Sequence, residues 1–262
     1  MKYNYIAVIL VYRNVEDLVE CIDSIREKIY SCRIVVVNSY FDDESLNKIK
    51  TVAENKDCDF IGIENRGYGY GNNKGIEFAI SNYEFDYVIV SNPDIIIKKF
   101  NETVLHENRI YAPRIVSKSG REQNPMVIKH NRLSEYMLYR GFKQKSRLLL
   151  IFGYAFFKIA KNIQSLFIQE GGKIYQAHGS FVILHRNVID KLHPIYDTNM
   201  FLFGEEGVMA LKARKFNIET IFVPDIEIFH KEDGSMRLAD FSIDNELSKS
   251  NIYFFEKYVF KN

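Results

Sequence analysis

Along its first hundred residues the chain alternates between two textures. Residues 5–12 (YIAVILVY), 34–37 (IVVV) and 87–90 (YVIV) are unbroken apolar runs rich in β-branched side chains, and 60–63 (FIGI) is a weaker fourth. Runs this short, apolar at every position, predict strands buried on both faces, as in a parallel sheet. Between them Val15, Leu18, Val19, Ile22 and Ile25 recur at three- and four-residue spacing, which predicts a helix over 15–29. Shorter helical patterns cover 44–53 and 72–80. Strand–helix–strand alternation is the pattern of a doubly wound α/β half, whose right-handed crossovers bring the strand ends to one edge of the sheet. The second half is less regular. Strands are expected over 109–116, 180–185, 220–223 and 226–229, the last two on either side of Pro224. Helices are expected over 203–216 and 243–258.

Each of the first four strands exits into polar groups. Arg13 and Asn14 follow the first, and Asn38, Ser39, Asp42 and Asp43 the second. Glu64, Asn65 and a glycine segment follow the third, and Ser91-Asn92-Pro93-Asp94 the fourth. One polar loop is ordinary; four in succession at one sheet edge favour a ligand crevice.

Composition narrows the classes. With 262 residues and 47% hydrophobic content the chain can bury a large core, which excludes disorder. Lys plus Arg is 35 against 34 Asp plus Glu, a net +1, which argues against a nucleic-acid partner. Three cysteines (Cys21, Cys32, Cys58) without C-x-x-C spacing argue against a disulfide framework or zinc site and for a reducing compartment. No signal-peptide pattern opens the chain, and no apolar run reaches the ~18 residues of a spanning helix. A cytoplasmic protein of one domain, 1–262, is the expectation.

Four constellations carry candidate chemistry. Gly67-Tyr68-Gly69-Tyr70-Gly71-Asn72-Asn73-Lys74-Gly75 is neither a Rossmann fingerprint, which belongs after the first strand, nor a P-loop, which needs Gly-Lys-Ser/Thr. It reads as a glycine-rich turn into a helix, with Asn72 as the cap and the backbone open to a nucleotide. Asn92-Pro93-Asp94 puts a carboxylate at the carboxyl end of a buried strand. There it could hold a divalent cation carrying a diphosphate, or simply form a turn. Glu205-Glu206 opens a helix after an aromatic stretch. The pair could complement the helix dipole, or one acid could have a raised pKa and act as a base. His230 ends a strand, as a loop residue or as a metal ligand on the same crevice.

In order, YIAVILVYRN, IVVVNSYFDD, ENRGYGYGNN, SNPD, HGSFVIL, FLFGEEGVMALKARK and FHKEDGSM resemble glycosyltransferase family 2, nearest the bacterial rhamnosyltransferase-like enzymes of polysaccharide synthesis. The resemblance runs from about Tyr5 to Ser235. It implies a GT-A fold: a mostly parallel central sheet flanked by helices, with a helical insertion on the acceptor side. Residues 1–116 would be the nucleotide-sugar half and 117–262 the acceptor and catalytic half. It implies an inverting enzyme dependent on Mg2+ or Mn2+. The donor would be a nucleoside diphosphate sugar, first of all dTDP-rhamnose or a UDP-hexose, and the acceptor a hydroxyl of a lipid-linked cell-surface glycan.

By the same resemblance Val11, Tyr12, Asn14 and Asn38 line the nucleobase and ribose pocket, Asn38 standing where the family usually has an Asp. Asn65, Gly71 and Asn72 fall in the loop over the nucleotide. Asn92 and Asp94 match the metal motif, with Asp94 the ligand, and His230 completes metal or diphosphate binding. Gly179 lies between donor and acceptor sites. Glu205 and Glu206 match an acid pair whose second member is the base, although Gly207 and Val208 depart from the pattern. These departures leave open a degenerate protein that only binds nucleotide or glycan. A nucleotide-sugar pyrophosphorylase would want basic residues and glycines directly after the first strand, which Tyr12-Arg13-Asn14-Val15 lacks.

The charge balance conceals a split. Residues 129–161 carry eight basic residues (Lys129, Arg132, Arg140, Lys143, Lys145, Arg147, Lys158, Lys161) and one acid, Glu135, a net +7, leaving −6 for the rest of the chain. Beside this charge lies LLLIFGYAFF (148–157), with Ile159, Ile163, Leu166 and Phe167 continuing at helical spacing. The 129–168 segment is expected either to dock on the cytoplasmic leaflet or to form a buried core helix or homodimer interface.

Overall fold

The computed structural model describes residues 1–168, 171–232 and 242–260. Its first half alternates strictly: β1 (Lys2–Val11), α1 (Val15–Lys28), β2 (Cys32–Tyr40), α2 (Asp43–Asn55), β3 (Asp59–Glu64), α3 (Tyr68–Asn82) and β4 (Glu84–Ser91). Then come β5 (Ile95–Lys99), β6 (Arg109–Ser117), α4 (Arg132–Gln144), α5 (Arg147–Ser165), β7 (Lys173–Ile174), β8 (Phe181–His185), α6 (Arg186–Leu192), α7 (Glu205–Lys215), β9 (Glu219–His230) and α8 (Ile243–Phe254). A π-helical turn, Phe255–Val259, continues α8.

One sheet runs in the order β3-β2-β1-β4-β8-β6-β9-β5, with β7 also on β9. β3, β2, β1 and β4 are parallel neighbours, β8 is antiparallel to both β4 and β6, and β6 and β9 are parallel. The chain therefore reverses its winding between β1 and β4, the position where open α/β sheets hold ligands at the strands' carboxyl ends.

The unbroken apolar runs are explained by cover on both faces. Along β1, Tyr5, Ala7, Ile9 and Val11 join a core with Leu18, Ile22 and Ile25 of α1 and Ile49 of α2. Ile6 and Val8 point the other way, into a core with Ile76 of α3, Val188 of α6 and Met209 of α7. Capping fixes where the helices begin. The Asn14 side chain accepts from the Asp17 amide, and Asp42 and Ser45 form a reciprocal capping box on α2.

Two expectations are corrected. The segment around Pro224 is a single strand, β9, whose register against β6 jumps from Pro113↔Val223 to Arg114↔Glu227, so residues 224–226 bulge out. The glycine segment is not a turn capped by Asn72. It is the start of α3 itself, capped by Gly67 at φ +100° with no side-chain cap bond. Asn72 is buried inside the helix, its Nδ2 donating to the Tyr68 carbonyl at 3.1 Å. The glycines serve packing: a Cβ at Gly71 would meet Leu10 at 2.4 Å, and one at Gly75 would meet Val8 at 2.3 Å. Their absence of side chains lets α3 press onto β1.

Candidate active site

β5 brings Asp94 and His230 together. Ile95 pairs with His230 in the β5–β9 ladder, Ser117 flanks His230 from β6, and the Lys231 amide donates to the Asp94 carbonyl at 2.9 Å. Both side chains are more than nine-tenths buried, with His230 Nε2 3.3 Å from Asp94 Oδ1. Gln123 settles the state of the imidazole. Its Nε2 donates to Glu232 at 2.8 Å, so its Oε1 is the atom that faces His230 Nδ1, also at 2.8 Å. An acceptor there requires the proton on Nδ1, so a neutral ring turns a bare Nε2 lone pair toward the carboxylate. Two lone pairs at this separation need a proton or a cation between them. A ligating histidine held through its other N–H is the usual second-sphere arrangement of a metal site. Asp94 and His230 therefore fit a divalent cation completed by substrate oxygens. Among the described residues no group of three or more His, Cys, Asp or Glu is placed to hold an ion alone.

His178, Gly179 and Ser180 connect this pair to the acids of α7. The His178 ring packs edge-on against His230 with centroids 5.9 Å apart. Its pKa is pushed down to about 4, first by burial and then by the charges of His230, Arg121 and Lys161. The Ser180 carbonyl accepts from the Asn92 amide at 2.8 Å. The Gly179 carbonyl accepts from the Tyr68 hydroxyl at 2.7 Å, and the Gly179 backbone abuts Glu206.

A sharp turn delivers the acids. Phe203 and Gly204 both take positive φ, 73° and 90°, and α7 starts at once with Glu205 and Glu206 in its first turn. Glu205 is 2% exposed and its Oε1 has no partner. Burial raises its pKa, and the neighbouring Glu206 raises it further. Glu206, one residue on, is only half-buried. Burial raises its pKa too, opposed by its own amide and that of Gly179. Tyr68 and Tyr196 stand against the same two carboxylates, and the Tyr196 hydroxyl has no partner.

The third part of the crevice lies over β1, β2 and α3. Asn38 is fully buried, its Nδ2 donating to the carbonyls of Val11 and Tyr12 at 3.1 and 3.3 Å. Asn38 Oδ1, Ser39 Oγ and Asn72 Oδ1 are buried without partners. Tyr12 and Phe41 make an edge-to-face pair, with the Arg13 guanidinium over both rings. Buried polar atoms left without a protein partner, of which Asn38 Oδ1 lies nearest Tyr12, call for a ligand or another explanation.

The expected residues thus gather at one sheet edge, with different parts to play. Val11 belongs to the core, fully buried, and offers only its carbonyl. Asn14 caps α1. Gly71 is a packing contact. Asn65 accepts from the Gly67 amide at 3.3 Å and shapes the entry to α3. Gln123, Tyr68, Tyr196 and His178 went unassigned. Of these Tyr68, in ENRGYGYGNN, and His178, in HGSFVIL, sat in recognised stretches, while Gln123 and Tyr196 sat in none. Residues 233–236 of the terminal FHKEDGSM stretch lie outside the described residues.

The chain covers 97% of its own length on a structure of GalNAc-T7 with UDP, GalNAc and Mn2+, with a TM-score of 0.61 and 11% identity. It covers 97% on S. aureus TarS, with a TM-score of 0.56 and 12% identity. It spans 48% and 44% of those two chains, about half of each. At such identity the likeness shows the fold, which is GT-A: a central sheet flanked by helices. No curated protein matches the chain at the sequence level. The model of the family described as "Glycosyl transferase family 2" matches residues 6–192, so it takes in the crevice, Asp94 and Gly179 but stops before the α7 acids and His230. With most of its length matched to that model, the chain belongs to glycosyltransferase family 2.

Proposed function

We propose that this protein transfers a sugar from a nucleoside diphosphate sugar to an acceptor hydroxyl, with inversion at the anomeric carbon. The observation that carries the reading is the His178-Gly179-Ser180 bridge. It touches the Asp94–His230 pair at one end and Glu206 at the other, so an anion-binding centre and a base candidate flank one cleft. The crevice at the carboxyl end of β2 takes the nucleoside, whose polar edge would pair with the unpartnered Asn38 Oδ1. Glu206 removes the proton of the acceptor hydroxyl as that oxygen attacks the anomeric carbon. The bond to the diphosphate breaks, and its electron pair leaves on the diphosphate oxygen. Positioned base catalysis of this kind contributes about 10²–10⁴-fold. Glu205, dry and raised in pKa by burial and by its neighbour, holds its proton the more firmly, which favours Glu206 as the base. Mg2+ or Mn2+ held by Asp94 and His230 would supply Lewis-acid stabilisation of the departing diphosphate.

For the finer assignments, dTDP-rhamnose or a UDP-hexose is the first donor to test, and a lipid-linked surface glycan the acceptor, as the motif order suggests. The test is release of nucleoside diphosphate from a panel of dTDP-, UDP- and GDP-sugars with Mg2+ or Mn2+. Metal-stimulated release with one donor supports transfer. Binding of a nucleotide sugar without release from any donor, with or without acceptor glycans, supports a catalytically degenerate binder instead.

A further inference from the structure

The α4–α5 hairpin carries an apolar face that the fold does not cover. α5 is held to α4 by close backbone approach: a Cβ at Gly153 would meet Leu138 at 2.9 Å, and one at Gly141 would meet Leu150 at 2.8 Å. That contact uses one side of α5. On the opposite side Leu148, Ile151, Phe152, Ile159, Ile163 and Leu166 are 55–80% exposed. At helical spacing the first five fall within one arc of about 120°, with Arg147 and Lys158 on its border. The helix thus turns large apolar side chains to solvent where surface helices usually carry charge. Contiguous apolar patches of this kind mark an interaction surface.

Charge identifies the occupant. Of the eight basic residues in 129–161, only Lys143 makes an ion pair among the described residues, with Glu256 at 2.8 Å. The one acid of the window, Glu135, is engaged by His130 at 3.0 Å. Most of this positive charge therefore has no counter-charge beside it among the described residues. A second copy seated on this face would set like charge against like charge. An anionic bilayer satisfies both features, taking the apolar arc below its headgroups while Lys and Arg reach the phosphates. No helix of the described residues is long and apolar enough to cross a membrane, so α5 would lie in the surface plane.

We propose that the α4–α5 hairpin docks this protein onto an anionic phospholipid bilayer. The far end of α5 approaches the candidate site, where Lys161 and Arg121 act on His178. Docking would hold the candidate site near the bilayer surface, within reach of an acceptor carried there. That link to the acceptor rests on the transfer reading above; docking itself does not.

Flotation of the full chain with phosphatidylglycerol/phosphatidylcholine vesicles tests it, against pure phosphatidylcholine, at low and high salt. Binding to the anionic vesicles alone, weakened by salt, is expected. Ile151→Glu with Ile159→Glu should abolish it, and Arg147→Glu with Lys158→Glu should weaken it at least about tenfold. All four positions are exposed on α5, so circular dichroism should be unchanged and donor hydrolysis retained. Absence of anionic-vesicle binding at low salt overturns the proposal, and so does equal binding by the variants. A solution dimer that Ile151→Glu dissociates overturns it in favour of a second copy. A protein that floats but releases no nucleoside diphosphate keeps the docking and loses the transferase reading.

Discussion

A Cβ built on Gly179 would lie 2.7 Å from Glu206 Oε1. The bare backbone of residue 179 is therefore what gives the Glu206 carboxylate its position at the start of α7. Gly179 does not take a positive φ, so alanine is tolerated by the backbone. The atom it strikes is the end of a flexible side chain, which can swing aside. Gly179→Ala should accordingly fold with a melting temperature within a few degrees of the parent while the carboxylate is displaced. Misplacing a catalytic group by about 1 Å costs on the order of 100-fold. Turnover measured beside thermal melting checks this; unchanged turnover would remove Glu206 from the reaction.

Glu206→Gln keeps the shape of the side chain and removes the base. Transfer should fall at least ~100-fold in kcat, with donor affinity by calorimetry unchanged. The same change at Glu205 should leave most of the activity, because that carboxyl is 2% exposed and already protonated at neutral pH. The reverse order of effects would exchange the two assignments.

Glu205 also makes a stability prediction. Burial raises its folded-state pKa, with Glu206 adding to the shift. The folded chain then holds this proton more tightly than the unfolded chain, so stability declines as pH rises from about 4 through neutrality. Glu205→Gln removes the penalty. Its melting temperature should exceed the parent's by a few degrees at pH 8 and match it near pH 4. A difference independent of pH would refute the raised carboxyl.

Gln123 should act on metal affinity without touching the ion. Its carbonyl fixes the Nδ1 proton of His230 and leaves Nε2 free for a cation beside Asp94. Gln123→Leu removes that hydrogen bond, and loss of such a partner typically costs 10–100-fold in metal affinity. Mn2+ titration, followed by calorimetry with nucleoside diphosphate present, should show a loss of that order. Asp94→Ala should abolish the metal-dependent part altogether, and identical Mn2+ binding in both variants would exclude the pair as ligands.

The sequence was most readable where one local force dominates. β1, β2 and β4 were visible because helices cover both faces and every position must be apolar. Glu205 and Glu206 at a helix start were expected from the helical pattern after the aromatic stretch, which placed a helix over 203–216 where α7 runs Glu205–Lys215. Long-range register was not readable. β5 is only IIIKK after a turn motif, yet its pairing of Ile95 with His230 is what assembles the candidate metal pair. Gln123 has no motif, because its role exists only once β6 and β9 bring residues 117 and 230 side by side. The glycine run misled for a physical reason. Glycine signals both a turn and a close helix–sheet contact, and Gly71 and Gly75 are the second kind. Pro224 misled likewise, since a bulge absorbs it without ending the strand.

The C-terminal helix is tied to the body through one buried acid, which gives a last test. Asp197 accepts from the Tyr258 hydroxyl at 2.6 Å, the Tyr253 hydroxyl at 3.0 Å, Lys257 at 2.9 Å and the Asn199 amide at 2.9 Å. Burial alone would raise its pKa; the hydrogen bonds, led by that of Tyr258, outweigh burial and hold it well below the usual carboxylate range. Phe254, next to the fastened Tyr253, packs against Gly207 in the first turns of α7, where a Cβ would meet its ring at 2.8 Å. A depressed folded-state pKa contributes stability that is complete above the unfolded value, about 4, and is lost as pH falls below it. Asp197→Asn should therefore lower the denaturation midpoint at pH 7, and the gap to the parent should close as pH falls below about 4. Because α8 packs on α7, the variant should also show faster amide exchange in both helices at pH 7. Exchange confined to α8 would mean that Asp197 anchors the terminal helix without supporting the acids.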